Sequence, residues 1–542
     1  MKRILPFILL VAFFSTSANA QFFKKLFHKE DTFSVSDTIP GAKRMLEVLS
    51  LVHDKYVEDP NTDRASEEAV RAMLRNLDPH SIYIPAKDVE RSNESLQGNF
   101  EGVGITFSIF NDTVVVGDVV AGGAAEKVGV QRGDKIIRID GEKATGDSVN
   151  NNFIFKRLRG KKGTEVVVDM LRGRDTIAFH IIRDKIPINS VDTYFMADDT
   201  IGYIRLLRFA RTSVDEFRKA VFALQKQGMK SLILDLRGNT GGFLDIACGL
   251  ANEFISNGKL LVYQEGRAQK RQDFRANRYG SFRSGDLVVL IDENSASAAE
   301  IVSGAVQDWD RGVLIGRRSF GKGLVQRMYT LSDGAQVRIT TARYFTPSGR
   351  CIQKPYEKGA EDYQADLVRR YKHGEFVSAD SIHFPDSLKY QTFGERTVYG
   401  GGGIMPDIFI PMDTMRLSDY YIACNSKGLL RQFSQRWADQ HRNEYSDIDF
   451  DLFLSIYDTL AIDSLFAAYA AEKEVVRDTA KEAANPVRTK HSDDYQHLVL
   501  KALVVERILG MDYYYRVLKD ADDVYKSALA TLRDPSIMSQ FY

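Results

Sequence analysis

Cysteine is scarce. Cys248, Cys351 and Cys424 are far apart and odd in number, which excludes a disulfide framework as the source of stability. No CxxC or HExxH pattern occurs and the nine histidines are scattered. The sequence therefore offers no metal site and implies no cofactor. Neither sign of charge is in excess, with 73 Lys and Arg against 73 Asp and Glu. Nothing global points to nucleic acid or to an anionic membrane surface. Local basic clusters such as Arg157-Leu-Arg-Gly-Lys-Lys162 read as solvated surface. The N-terminal apolar run, Ile4 to Phe14, has 11 residues, too few to span a bilayer.

What is there begins with that same run. Met1-Lys-Arg3 is a short basic region, and Ala18-Asn-Ala20 is an A-x-A cleavage site. Residues 1–20 read as a secretory signal peptide, with cleavage before Gln21. No cysteine follows the site, which argues against a lipid anchor there. The expectation is an exported, periplasmic protein. Retention of the segment as an anchor, and with it peripheral membrane association, is the alternative.

At 542 residues the chain has room for two to four domains. Residues 21–95 read as a linker and a helical segment. Met45, Leu46, Leu49, Leu51 and Val52 form one amphipathic face and Ala69, Val70, Met73 and Leu74 another. Pro79 then disfavours helical geometry at the residue before it. Residues 96–184 change to short strands and glycine turns. Gly102-Val103-Gly104-Ile105, Ala124-Ala125, Gly129-Val130 and Arg132-Gly-Asp with Ile139-Asp-Gly141 follow in order. This succession resembles a PDZ domain. The likeness implies that Gly102, Val103, Gly104 and Ile105 hold a peptide's C-terminal carboxylate on backbone N–H groups, while the adjoining strand edge takes the peptide as an added strand.

Residues 185–412 alternate strands and helices, which argues for a layered sheet with helices over it. Ile201–Leu206, Ser231–Leu236, Leu260–Tyr263 and Leu287–Ile291 read as strands. The turn Arg237-Gly-Asn-Thr-Gly241-Gly242 lies between a strand end and a helix start, where functional N–H groups gather; a plain turn into a helix reads equally well. Residues 413–542 are charged and helical and carry no motif. They suit a packing layer, a homodimer contact or an adaptor alike.

The stretch Asp292-Glu-Asn-Ser-Ala-Ser297-Ala298-Ala299-Glu300-Ile301 follows an apolar run and opens a helix. Ser297-x-x-Glu300 is a capping box, a way to start a helix with no chemistry in it. A hydroxyl at such a start also sits beside free N–H donors, as an acyl-transfer nucleophile requires once a base is in reach. Lys322 has two readings. Gly316-x-x-x-x-Gly321-Lys322 approaches a nucleotide-binding P-loop, but Gly323 stands at the metal-ligand position and a strand follows where a helix is needed. No nucleotide is expected. As a base, Lys322 must lose its charge, which burial among Phe320, Leu324 and Val325 favours. Gln326 can orient an amine without restoring that charge. A Ser–His–Asp triad is a further option, although no G-x-S-x-G surrounds a serine.

Ser295-Ala-Ser297-Ala-Ala-Glu300, Gln307-Asp308, Ser319-Phe-Gly-Lys322-Gly-Leu-Val-Gln326, Asp235-Leu-Arg-Gly-Asn-Thr-Gly-Gly242, Gly401-Gly-Gly-Ile-Met-Pro-Asp407 and Leu77-Asp-Pro-His-Ser-Ile-Tyr83 together resemble the carboxyl-terminal processing, or tail-specific, serine proteases. The likeness covers about residues 40–410. It implies Ser297 as nucleophile, Lys322 as general base and Gln326 as its orienter. An oxyanion hole would come from the N–H of Ala298 and of a glycine in Gly241-Gly242. Ala299 stands where serine is frequent in the family. The fold implied is mixed α/β, a crotonase-like layered core with an inserted mostly-β PDZ domain and flanking helical segments. Partners would be protein or peptide substrates held by their C-termini.

Overall fold

The computed structural model describes residues 39, 41–110, 112–146, 149–415, 417–445 and 448–541. The signal-peptide reading of residues 1–20 lies outside them. The chain divides into Met1–Met73 and Leu74–Tyr542. In the first unit the helix Ala42–Lys55 buries none of its residues, and Met45, Leu46, Val48 and Leu51 are exposed. Among the described residues no single helix is long and apolar enough to cross a membrane.

In the second unit a six-stranded sheet sets the plan. Its order is Val191–Met196, Ile201–Leu206, Ser231–Asp235, Leu287–Ile291, Val313–Gly316 and Ile408–Phe409, all parallel except the first. Strands buried on both faces read as unbroken apolar runs, and Leu287–Ile291 is buried at every position. Alternate residues serve different layers. Leu232, Leu234, Leu287, Val289 and Ile291 pack under the helices Ser213–Lys226, Leu244–Ala251 and Ala298–Asp308. Ile233, Val288, Leu290, Val313 and Ile315 face the other way, onto Val524, Tyr525, Ala528 and Leu532. Those four belong to the helix Asp523–Arg533. Residues 413–542 are therefore in part the second cover of the central sheet, a packing layer. Each buried aliphatic side chain there contributes about 1.5–3 kcal/mol.

The alternation misplaces one strand. Leu260–Gly266 does not join the central sheet; it pairs antiparallel with Gln269–Arg275 and Gln336–Phe345 in a second sheet that also holds Leu324–Thr330 and Ile82–Ile84. A short apolar run carries no record of which sheet it joins. The helix Ala86–Gln97 is also absent from the sequence reading, since it buries no residue and so shows no apolar stripe. The stretch beyond Gly349 contains the helices Ala360–Gln364 and Asp366–Lys372 and a small hairpin.

Residues 105–182 form a separate sheet, ordered Ile105–Phe110, Thr113–Val119, Lys135–Ile139, Glu165–Arg172, Asp175–Ile182, with the helix Asn151–Leu158, and Asn99–Gly102 pairs with Asp184–Pro187 beside it. Ile105–Phe110 is its edge strand, and Phe107 meets Phe155 of that helix at 5.2 Å between ring centres. The C-terminal helices contact this domain directly. Lys135 pairs with Asp439 at 3.0 Å, and Arg132 donates to the Ile508 carbonyl at 3.1 Å.

Candidate active site

Ser297 ends the turn after Leu287–Ile291 and precedes Ala298–Asp308, a helix buried at every residue. Its φ is +55°, a strained region for a residue with a Cβ. Glu300, 1% exposed, holds it there. Oε2 of Glu300 accepts the Ser297 N–H at 2.8 Å and also the Lys322 N–H at 2.9 Å. Its Oε1 accepts Ser319 Oγ at 2.5 Å and the Gly321 N–H at 2.7 Å. One buried carboxylate thus staples the Ser297 shelf to the loop carrying Lys322. The Tyr344 hydroxyl adds a second staple, 2.7 Å from the Lys322 carbonyl and 3.1 Å from that of Ser297.

The Lys322 loop is anchored from its other side by residues that come later in the chain, Arg370 and Ile404. Ser319 N–H donates to the Ile404 carbonyl, and the Ile404 N–H returns to Ser319 Oγ at 2.6 Å. This gives the Gly401–Asp407 motif a structural role. Arg370 donates to the carbonyls of Ser319 and Arg318. Gln307 and Asp308, at the far end of the Ser297 helix, bind Arg350, whose ion pair with Asp308 at 2.7 Å is fully buried.

Lys322 Nζ has no ion-pair or hydrogen-bond partner among the described residues. Burial lowers the pKa of its amine, helped by the charge of Arg338 and opposed by Glu300 and Asp78. The Glu300 carboxyl is raised by the same burial, against four donors. Burial thus pushes both groups of this pair toward their neutral forms. Leu324 is buried beside the loop, while Phe320 is engaged with Lys354, whose Nζ lies 3.8 Å from the ring centre. Gln326 is placed differently from the reading above. Its Nε2 donates to Thr340 Oγ1 at 3.3 Å, its register partner across the hairpin, and not to Lys322.

The glycine turn meets the shelf directly. A Cβ on Gly241 would lie 2.8 Å from Ser297 Cβ and 2.9 Å from the Ala298 nitrogen, so only glycine fits. The Gly241 N–H is taken by Asn239 Oδ1 at 2.9 Å. Gly242 and Ala298 make no backbone hydrogen bond through their N–H groups among the described residues. Of the two glycines, Gly242 keeps its donor available. In the PDZ-like domain Val103 and Gly104 lie in the turn before the edge strand, where their carbonyls accept the N–H groups of Ala125 and Val120.

Sequence reasoning gave His80 and Asp78 no role at the site. Asp78 caps its own turn, accepting the N–H groups of His80 and Ser81 and the Ser81 hydroxyl. His80 Nε2 meets the Tyr363 hydroxyl at 3.0 Å. Burial, then the charge of Lys322, pushes the His80 ring down to about 4, so it is neutral beside the amine. The Leu77–Tyr83 motif was the signal available for both. Among the described residues no group of His, Cys, Asp and Glu is arranged to hold a metal ion.

Residues 200–362 match peptidase family S41 and residues 93–171 match the PDZ domain family. Over 328 residues, 59% of this chain and 75% of the relative, the sequence is 34% identical to the carboxy-terminal-processing protease of Bartonella bacilliformis. The chain belongs to the carboxy-terminal-processing proteases. A probable CtpA-like serine protease of Staphylococcus aureus is 31% identical over 307 residues, 56% of this chain and 61% of that one. The solved photosystem II D1 C-terminal processing protease is 26% identical, covering 69% of this chain and 89% of that one with a TM-score of 0.37. This protein is accordingly a serine protease with a mixed α/β fold and a PDZ domain.

Proposed function

We propose that this protease is an exported endopeptidase that takes substrates by their C-termini in the PDZ domain and cuts them through a Ser297–Lys322 acyl-enzyme. The observation that carries the reading is the shared carboxylate. Glu300 Oε2 binds the backbone of Ser297 and of Lys322, and burial lowers the pKa of the Lys322 amine against the opposing pull of Glu300 and Asp78.

The neutral Lys322 amine takes the Ser297 Oγ proton as Oγ bonds to the substrate carbonyl carbon. The oxyanion forms against the N–H groups of Ala298 and Gly242, and each such donor is worth about 10²–10³ in rate. The ammonium then returns its proton to the leaving amine and the C–N bond breaks, leaving an ester on Ser297. Water, deprotonated by the same amine, attacks the ester carbonyl; the bond between Ser297 Oγ and the acyl carbon breaks, the ammonium returns its proton to Oγ, and the new C-terminus is freed. Gln326 reaches its orienting role only by leaving Thr340. In the PDZ domain the N–H groups of Val103, Gly104 and Ile105 suit a carboxylate, and the Ile105–Phe110 edge suits an added strand. A solved PDZ domain of a Vibrio cholerae carboxy-terminal protease is in complex with a peptide. Export is supported by Met1-Lys-Arg3, the apolar run and Ala18-Asn-Ala20; a mature N-terminus at Gln21, read by mass spectrometry, is the expected result.

The test is a purified Ser297→Ala variant on an unfolded protein substrate. Loss of about 10⁴-fold or more in kcat is expected. Wild-type cleavage by that variant would sink the mechanism and leave a triad serine elsewhere as the alternative; no cleavage by the wild-type protein and no phosphonate labelling of Ser297 would leave a binding scaffold.

A further inference from the structure

The turn that carries Gly241 and Gly242 is held by more than the peptidase core. Within the core, Asn239 Nδ2 donates to the Leu206 carbonyl, its carbonyl accepts the Ala296 N–H, and Gly238 donates to Asp292. Two residues earlier stands Arg237, whose side chain faces two carboxylates. One is Asp235, the last residue of the strand before the turn, at 2.6 Å and buried against the Tyr203 hydroxyl. The other is Asp522, which accepts from Arg237 Nη1 at 2.9 Å and Nη2 at 2.6 Å. Asp522 comes from the C-terminal helical region, 285 residues along the chain.

Asp522 has a second task. Its Oδ1 caps the helix Asp523–Arg533, accepting the N–H groups of Val524 and Tyr525 at 3.1 Å each. That helix is the one packed on the outer face of the central sheet. The carboxylate is thereby fixed by its helix while it grips Arg237 by both nitrogens, a bidentate pairing that specifies direction as well as distance. The guanidinium is largely buried, and the two carboxylates raise its pKa well above the usual value against the cost of burial. Without Asp522, Arg237 keeps Asp235 but loses the partner that sets where its outer edge lies.

From this geometry we infer that Asp522 is a positioning residue for catalysis: through Arg237 it sets the 238–242 turn, and so the Gly242 donor, against Ser297. The inference rests on the oxyanion reading above. It gives the C-terminal region a part in the reaction beyond covering the sheet.

Asp522→Ser separates the two tasks. Serine caps a helix about as well as aspartate but cannot chelate a guanidinium. The expected result is a kcat lowered about ten- to hundredfold, since displacement by about 1 Å costs on that order, with KM and melting temperature near wild type. Phosphonate labelling of Ser297 slows by a similar factor, because that adduct also needs the oxyanion donors. Asp522→Glu recovers part of kcat. In a cycle with Arg237→Gln, the double variant is no worse than Arg237→Gln alone. Wild-type kcat in Asp522→Ser, in an enzyme that Ser297→Ala inactivates, overturns this inference and leaves the Ser–Lys reading intact. An active Ser297→Ala overturns the reading itself. A lowered kcat accompanied by an equally lowered melting temperature and raised KM overturns the positioning role in favour of plain stability.

Discussion

At the Ser297 shelf and at the Val103–Gly104 turn, backbone donors are offered by chains that bend through glycine, but the supports behind them differ. The shelf is pinned by side chains that are themselves fixed: Glu300 on Ser297 and Lys322, Asn239 on Gly241, Asp292 on Gly238. The PDZ turn is held by its own carbonyls, through Ala125 and Val120. Gly104 adopts φ +84° with Ile186 beside it. Chemistry requires donors fixed to within about half an ångström, whereas capture of many different chain ends tolerates a turn that can adjust. Changes at the shelf should therefore act on kcat, and changes at the PDZ turn on KM.

Glu300→Gln is the strongest way to break that contrast. The amide keeps the shape but turns an NH₂ toward N–H donors. We expect kcat to fall about hundredfold and stability by about 3 kcal/mol, as for an orphaned buried group, with KM nearly unchanged. A change confined to KM, measured by steady-state kinetics beside a thermal melt, would erase the distinction.

The pH profile sharpens the contrast. A lysine base acts only as the free amine, and burial lowers the pKa of Lys322. Activity should rise with pH, about tenfold per unit on the acid side, and level off below the pH at which a free lysine titrates, near 10.4. PDZ variants should shift the amplitude of a kcat/KM profile without moving its midpoint. A flat profile from mildly acidic to alkaline pH would remove the lysine base.

The smallest effect is expected at Gly104. An added Cβ would stand 2.9 Å from Ile186 Cδ1, at a φ that side chains disfavour. Gly104→Ala should raise KM for C-terminally intact protein substrates about tenfold, on a cost of about 1–2 kcal/mol, with kcat unchanged. A fall in kcat of the same size would show that the PDZ turn also acts on the shelf.

Much of the site can be read along the chain because the features are local: a cap at Ser297, a lysine 25 residues on, glycine turns at strand ends. The supports cannot. Tyr344, Arg370, Ile404 and Asp522 reach the site only after folding, and none stands in a pattern that names its target. Gln326 shows the limit of spacing. Four residues separate it from Lys322, but strand geometry turns its amide onto Thr340. One signal was present and unused. Leu287–Ile291 is apolar at every position, which requires cover on both faces of its sheet, and the core helices supply only one.

The Arg237–Asp522 clasp also bears on when the protease becomes active. Its partners are 285 residues apart, and contacts so distant in sequence form late, after the local strands and helices have closed. A chain interrupted before residue 522 would hold Ser297, Lys322 and the whole central sheet, but its outer sheet face would be bare and Arg237 released on one side. On the proposed Ser297–Lys322 mechanism and the inferred role of Asp522, competence to cut is linked to docking of the segment that carries Asp522, and a molecule trimmed before residue 522 is expected to be a poor enzyme even with Ser297 and Lys322 in place.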